Sequence, residues 1–336
     1  MAGGPTTPAL AAAVSNAGGL GFLAAGMLTP DRMAADIRQT RTLTDQPFGV
    51  NLFLPGTAPA DPRAIAAYAT RLAPAAQRWG VTLGEPVGGD DAFPAKLDAL
   101  LADPVPVVSF VFGLPDAETV AALQALGTEV WATINHPDTA TTAALLGVDA
   151  IVVQGTEAGG HRGDTLDDDD YGLLPLLRLT AARCPTPLVA AGGVADGPAL
   201  AAVLAAGASA AQLGTAFLRC PEAGTLALHR AALGGTADTR LTRAFTGRRA
   251  RAIVNEFLYA HDAAAPMAYP HLLNLTRPLL AAARHAEDPS IANHWAGQAH
   301  ELAREIPATH LVEQLTTGAR ATLAALNERA SGWALD

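Results

Sequence analysis

The sequence predicts an α/β barrel of parallel strands, a TIM (β/α)8 barrel lacking its first strand, followed by a helical lobe. Three observations predict it. Short apolar runs alternate with helical stretches from residue 8 to about residue 220. These runs are continuously apolar, the pattern of strands buried on both faces. Several end in glycine-bearing turns, at the strand ends where a barrel of this kind carries its chemistry.

The elements follow in order. Thr7 and Pro8 offer a cap and a first-turn proline, an alanine-rich run reaches Asn16, and Gly18-Gly19 stops it, so residues 8–16 form a helix. Apolar strands are expected at 20–25, 48–53, 105–111, 130–134, 150–153, 188–191 and 210–213. Helices are expected at 30–43, 64–79, 116–126, 137–146, 173–182 and 198–206. Seven strands leave the barrel one short, and the absent one belongs before the first helix, where the chain offers only residues 1–5. Either the sheet is open there or the natural chain starts upstream of Met1. A short strand at 81–83 is the other candidate to complete the count. After Pro221 the rhythm changes to alanine and leucine helices around an irregular stretch, 234–270, with a last helix at 311–327. The expected division is a barrel over residues 1–220 and, over 221–336, a helical lobe covering the active-site face.

Composition narrows the function classes. The chain has 336 residues with 75 alanines, 32 glycines and 5% aromatics, so its core is built from many small, closely packed elements. One lysine (Lys96) stands against 21 arginines at a net charge of −10. That balance leaves no basic surface for nucleic acid. Cys184 and Cys220 supply neither a disulfide framework nor zinc-ligand spacing, which points to a reducing cytoplasm. No stretch reaches roughly 18 apolar residues free of Gly, Pro and charge, and the start lacks a secretory layout, so no membrane association is expected. A homo-oligomer is compatible with this composition.

Candidate chemistry lies at the strand ends. Gly192-Gly193 and Gln212-Leu213-Gly214-Thr215 close the last two strands with backbone N–H groups able to cradle a phosphate. Either turn alone also reads as a tight strand-to-helix connection; adjacent, they favour a phosphate site. The strand at 150–153 runs into Gln154-Gly155-Thr156-Glu157-Ala158-Gly159-Gly160-His161-Arg162-Gly163. The glycines there admit a flat ligand and His161 projects over it. Histidine titrates near neutrality, so His161 can take a proton from carbon or bind an anionic substrate; a satisfied loop histidine is the bland alternative. Asn51 and Gln154 put neutral amides at the mouth, which suit the edge of a heterocycle better than a metal. The run 167–170 reads as a solvated acidic loop, His136 as a turn residue and both cysteines as inert. No metal site is expected.

These motifs, with Ala2-Gly3-Gly4-Pro5, the segment 16–26, Gly49-Val50-Asn51-Leu52, Tyr269-Pro270 and Trp295-Ala296-Gly297-Gln298, resemble the nitronate monooxygenase family, over residues 1 to about 327. The resemblance implies an FMN-containing barrel. It implies that Ala2, Gly3, Asn51, Gln154, Gly159, Gly192, Gly193, Gln212, Leu213, Gly214 and Thr215 hold FMN and that His161 is the active-site histidine. The implied reaction is oxidation of an alkyl nitronate, such as propionate 3-nitronate, by O2 to a carbonyl compound and nitrite. His161 would bind the nitronate, or remove the α-proton of a neutral nitroalkane. This chemistry asks the protein only to orient the substrate and place one base, since the flavin handles the electrons.

Two departures stand out. The family usually begins with a strand ending Gln-Ala-Pro-Met, whereas this chain starts at that methionine. Relatives also place tyrosines and a lysine from the C-terminal lobe over the flavin, and here Tyr269 and Arg277 are the available substitutes. The rival reading is an FMN-dependent NAD(P)H:quinone or enoyl-acyl carrier protein reductase on the same scaffold, which tends toward an acidic residue where this chain has Gln154. A barrel that has lost its flavin is the non-enzymatic alternative.

Overall fold

The fold was analysed in a computed structural model, which describes residues 1–56, 60–165 and 169–332. In chain order the first half holds α1 (Pro8–Asn16), β1 (Gly21–Ala24), α2 (Pro30–Leu43), β2 (Phe48–Phe53), α3 (Pro62–Arg78), α4 (Phe93–Ala102), β3 (Val107–Val111), α5 (Ala117–Gln124), β4 (Glu129–Ile134) and α6 (Pro137–Leu145). Then come β5 (Ala150–Gln154), β6 (Gly160–His161), α7 (Leu173–Ala181), β7 (Leu188–Ala191), α8 (Gly197–Ala205), β8 (Ala210–Gln212), α9 (Ala227–Leu233), β9 (Thr239–Thr242), β10 (Ala250–Ile253), α10 (Glu256–His261), α11 (His271–His285) and α12 (Ala308–Ser331).

Sequence chemistry explains the boundaries. Thr7, Thr29, Asp116 and Asp196 each accept a hydrogen bond from a first-turn N–H of the helix they cap, satisfying donors that have no partner within the helix. Proline in the first turn of α1, α2, α3, α6 and α8 lacks the N–H that would go unpaired there.

Seven strands pair in parallel in the order β1-β2-β3-β4-β5-β7-β8. One cavity is walled by Phe22 of β1, Trp131 of β4, Gln154 of β5 and Gln212 of β8, so the sheet curls on itself as a TIM-like barrel does. The seven predicted strands are the seven observed. Among the described residues no eighth strand joins this sheet, and residues 81–83, a candidate for that place, are irregular. Val81 and Leu83 instead pack against the cluster formed by α3 and the C-terminal segment.

The main core packs the strands against their crossover helices. Val50, Leu52, Val108, Phe110, Val130, Ile134, Ile151 and Val153 are buried there with Leu123 and Leu176. A second cluster joins Ile65, Tyr68 and Leu72 of α3 to Phe245, Phe257, Leu272, Leu275 and Leu279. The excursion after β2 therefore packs with residues nearly two hundred positions later. A third cluster sets Leu311 and Leu315 of α12 beside Leu10 of α1 and Phe217, and α12 lies along α8 and α1.

Two findings depart from the predicted elements. Helix α4 was not expected: its N-cap is Ala92, with no side-chain cap, and a first-turn proline is its only N-terminal signal. The stretch 234–270, expected to be irregular, holds β9, β10 and α10. Strands β6, β10 and β9 form a small antiparallel sheet in which His161 pairs with Ala250 and Gly160 with Arg251. No helix among the described residues is long and apolar enough to cross a membrane.

Candidate active site

The loop from Gln154 to Gly163 leaves the end of β5 and is held from several sides. The Gln154 side chain reaches across it: Nε2 donates to the His161 carbonyl at 3.0 Å and Oε1 accepts from Gly163 N–H at 2.8 Å. Beneath the loop, Arg162 donates to the Gly155 carbonyl at 2.8 Å and Arg251 to the Thr156 carbonyl at 2.7 Å. Arg162 is 1% exposed, so these charge-assisted bonds are shielded from water and are the strong kind. Glu157 accepts from Leu173 N–H at 3.0 Å, tying the loop to the start of α7. Pairing of β6 with β10 then fixes the direction of the loop's outer limb.

A cavity of about 750 Å³ lies inside this frame, within the range of small-molecule sites. Its walls bring together Gln154, Gly159, Gly192, Gly193, Gln212, Leu213, Gly214 and Thr215. Met1 and Thr6 line it too, while Ala2 and Gly3 sit in the adjoining turn and do not. Asn51, the fourth residue of β2, is not on this wall, its Nδ2 donating to Ser109 Oγ at 2.8 Å.

Glycine is required where the loops converge. Gly192 has φ +117° and Gly193 φ +68°, conformations that other residues adopt only with strain. A Cβ on Gly159 would approach the Ala296 carbonyl carbon to 2.5 Å, so no side chain fits between these backbones. Gly297 N–H donates to Thr215 Oγ1 at 3.0 Å, and Gln298 N–H donates to the Glu157 carbonyl at 3.0 Å. The segment 295–298 thereby stitches the imidazole loop to the turn after β8.

His161 is half-buried in an aromatic enclosure. Ring centroids of Trp295, Tyr269 and Phe112 lie 5.2, 5.7 and 5.8 Å from its own. The Arg248 guanidinium sits 4.2 Å from the Phe112 ring centroid, a cation–π contact, and donates to the Arg162 carbonyl at 2.9 Å and to the Asp164 carbonyl. Burial, and secondarily the positive charge of Arg248, lowers the His161 pKa from 6.5 to about 3. The imidazole is therefore neutral at neutral pH, the form that accepts a proton. Burial raises the Tyr269 phenol well above its ordinary range, with the Asp91 carboxylate acting the same way, so it remains a hydroxyl donor. Arg277 is exposed on α11 and influences Tyr269 only as a nearby charge opposing that rise.

The remaining candidates are plain. His136 caps α6, accepting from Asp138 N–H at 3.2 Å. Burial raises the Cys220 thiol to about 12, which suits an unreactive side chain. Asp167 and Asp168 of the acidic run lie outside the described residues, and Asp170 pairs with Arg249 at 2.6 Å. Sequence reading did not single out Phe112, Thr246 or Arg248. Phe112 sits one residue beyond β3, so a strict reading of strand ends would have found it; Thr246 and Arg248 carry no local signal.

Comparison with known proteins agrees with this geometry. A family model described as nitronate monooxygenase matches residues 1–318. The chain is 43% identical to a nitronate monooxygenase of Paraburkholderia phytofirmans, with 93% of this chain and 88% of that protein covered. It is also 43% identical to a nitronate monooxygenase of Pseudomonas aeruginosa, with 93% and 92% covered. Among solved structures, nitroalkane oxidase from Streptomyces ansochromogenes superposes with a TM-score of 0.94 at 49% identity over 97% of this chain and 95% of that one. FabK from Thermotoga maritima gives 0.77 at 27% identity over 98% and 93%. With the family matched over nearly its whole length, the chain is an oxidoreductase and belongs to the nitronate monooxygenase family.

Proposed function

We propose that this protein oxidises alkyl nitronates, such as propionate 3-nitronate, with O2 to a carbonyl compound and nitrite, and that FMN is its cofactor. The observation that carries the reading is a neutral, enclosed imidazole beside a glycine-walled cavity. His161 has its pKa lowered to about 3, and Gly159, Gly192 and Gly193 line the adjoining space.

The cavity residues fit FMN. Side chains are excluded at Gly159 and disfavoured at Gly192 and Gly193, so backbone forms the wall against a planar ring. The turns at Gly192-Gly193 and Gly214-Thr215 would receive the phosphate through backbone N–H groups, the usual chemistry of such turns. Gln154, Gly159, Gln212 and Leu213 would border the rest, with Asn51, Ala2 and Gly3 beyond the cavity wall. When bound, FMN supplies the electron transfer that no side chain here provides.

His161 does the proton work. Toward a neutral nitroalkane, its neutral ring removes the α-proton; toward a nitronate, it orients the anion. Tyr269 remains protonated and presents an O–H donor from the same aromatic enclosure. Arg248 adds positive potential that favours a small anion, and the rings of Phe112, Tyr269 and Trp295 limit the water around it.

The second reading is NAD(P)H-dependent reduction of a quinone or enoyl thioester on the same barrel. A fold likeness to the enoyl reductase domain of MlnA, TM-score 0.65 at 13% identity, supports the scaffold alone. Purified protein reconstituted with FMN and given propionate 3-nitronate under air is expected to take up oxygen and release nitrite. Rapid NADH consumption with a quinone and no nitrite from any nitronate would establish the reductase instead.

A further inference from the structure

His161 meets one hydroxyl from a distant part of the chain. Its Nε2 lies 2.9 Å from Thr246 Oγ1, and Thr246 is 1% exposed. Two further bonds tie that hydroxyl to its own turn. Arg248 N–H donates to Oγ1 at 3.4 Å and Oγ1 donates to the Arg248 carbonyl at 3.3 Å.

A hydroxyl has one proton to give and two lone pairs to receive with. With its proton on the Arg248 carbonyl, Oγ1 can accept both Arg248 N–H and one ring N–H. Every group is then satisfied when Nε2 of His161 carries the ring proton. The opposite orientation, hydroxyl to Nε2, would occupy the imidazole lone pair and strip the Arg248 carbonyl of this donor. Among the described residues no hydrogen-bond partner stands at Nδ1, so the first arrangement leaves a basic nitrogen for a substrate and the second does not.

The surrounding framework keeps this contact in register. Ala250, four residues after Thr246, is paired with His161 in the small sheet. The Arg248 side chain grips the Arg162 carbonyl while its main chain holds Thr246. Rings of Phe112, Tyr269 and Trp295 restrict rotation of the imidazole. Base, orienting group and backing carbonyl are arranged as in other sites where a third group sets the histidine tautomer.

We propose that Thr246 is the positioning residue of His161: its hydroxyl, anchored on the Arg248 main chain, holds the imidazole with the proton on Nε2 and presents Nδ1 to the substrate. The proposal rests on the reading of His161 as the base of this site, but its test does not depend on turnover. In protein labelled with 15N-histidine, the His161 ring signals are identified by their loss in His161→Gln. A protonated Nε2 and an unprotonated Nδ1 are expected at neutral pH in the parent protein and in Thr246→Ser. Thr246→Val is expected to shift these signals toward a mixture of tautomers. With flavin content unchanged, it should also lower kcat on a neutral nitroalkane about 10-fold or more, with Thr246→Ser restoring the rate to within about threefold. An unprotonated Nε2 in the parent protein, or Thr246→Val signals that match it, overturns the proposal. If no nitronate or nitroalkane is turned over, the proposed reaction fails while the ring signals still decide the role of Thr246.

Discussion

Gln154 braces the main chain immediately after His161, donating to the His161 carbonyl at 3.0 Å and accepting from Gly163 N–H at 2.8 Å. The amide that ends β5 is therefore a structural strut of the imidazole loop, whatever it also offers a ligand. Gly163 is buried, so losing its acceptor leaves an unpaired N–H and costs about 1–3 kcal/mol.

Gln154→Glu keeps an acceptor for Gly163 but sets a carboxylate oxygen against the His161 carbonyl. Thermal unfolding of this variant is expected to start lower than that of the parent, and turnover to fall because the imidazole loses its fixed backbone. Gln154→Ala removes both bonds and should be the worse of the two in stability. Equal melting of all three proteins would remove Gln154 from the support of the loop.

His161→Ala is expected to retain FMN, since the histidine is not on the cavity wall, and to lose about 10²–10⁴-fold in turnover, the usual contribution of a general base. As the proposed base, the same side chain would set the acid limb of the pH profile. Its pKa is lowered to about 3, so the base stays neutral well below pH 6.5 and activity on a neutral nitroalkane should persist there. Arg248→Gln removes a positive charge that disfavours the imidazolium and is expected to move the limb upward. A limb unmoved or shifted downward in that variant would show that Arg248 does not act on His161 through charge.

Most of the barrel was legible because strands buried on both faces leave continuous apolar runs, such as residues 150–153 and Leu188–Ala191. The small sheet was not. Gly160–His161 is too short to show any period, and Arg251, which reads as a loop residue, is 6% exposed because Thr156 and Thr239 satisfy its guanidinium. The same divide runs through the site. Glycine-bearing turns and a glycine-rich loop after the strands announce close backbone, so Gly159, Gly192 and Gly214, which line the cavity, could be named from sequence. Thr246 reaches His161 across 85 residues, through a pairing that no local pattern encodes.

His229 and His294 stack with ring centroids 5.1 Å apart and 15° between planes. Burial lowers both to about 4, with His229 adding its own effect on His294 and a bond to the Trp295 carbonyl partly opposing the shift at His229. Between about pH 4 and 6.5 the unfolded chain binds protons that the folded chain does not, so stability rises with pH in that window. Thermal midpoints are therefore expected to drop as pH falls from 6.5 toward 4, and His294→Phe should flatten that slope relative to the parent. An unchanged slope would mean that the stacked pair does not titrate on unfolding.

Gly159 faces Ala296 and Gly297 so closely that a methyl group there would lie 2.5 Å from the Ala296 carbonyl carbon. Relief requires moving either the imidazole loop or the segment 295–298, and both are fixed. Gln298 N–H is bonded to the Glu157 carbonyl, Gly297 N–H to Thr215 Oγ1, and β10 bridges to Trp295 through Ala252. Displacing that segment pulls on the turn after β8, which with Gly214 and Thr215 forms the proposed phosphate end of the cavity. Gly159→Ala is thus expected to weaken FMN binding more than it weakens the fold. Gly192→Ala, at φ +117° with Ala158 N 3.0 Å from the added Cβ, should act in the same direction. Flavin absorbance after reconstitution, read beside the circular dichroism of the flavin-free protein, separates the two effects. Full flavin retention in Gly159→Ala would place the cofactor elsewhere than against this loop.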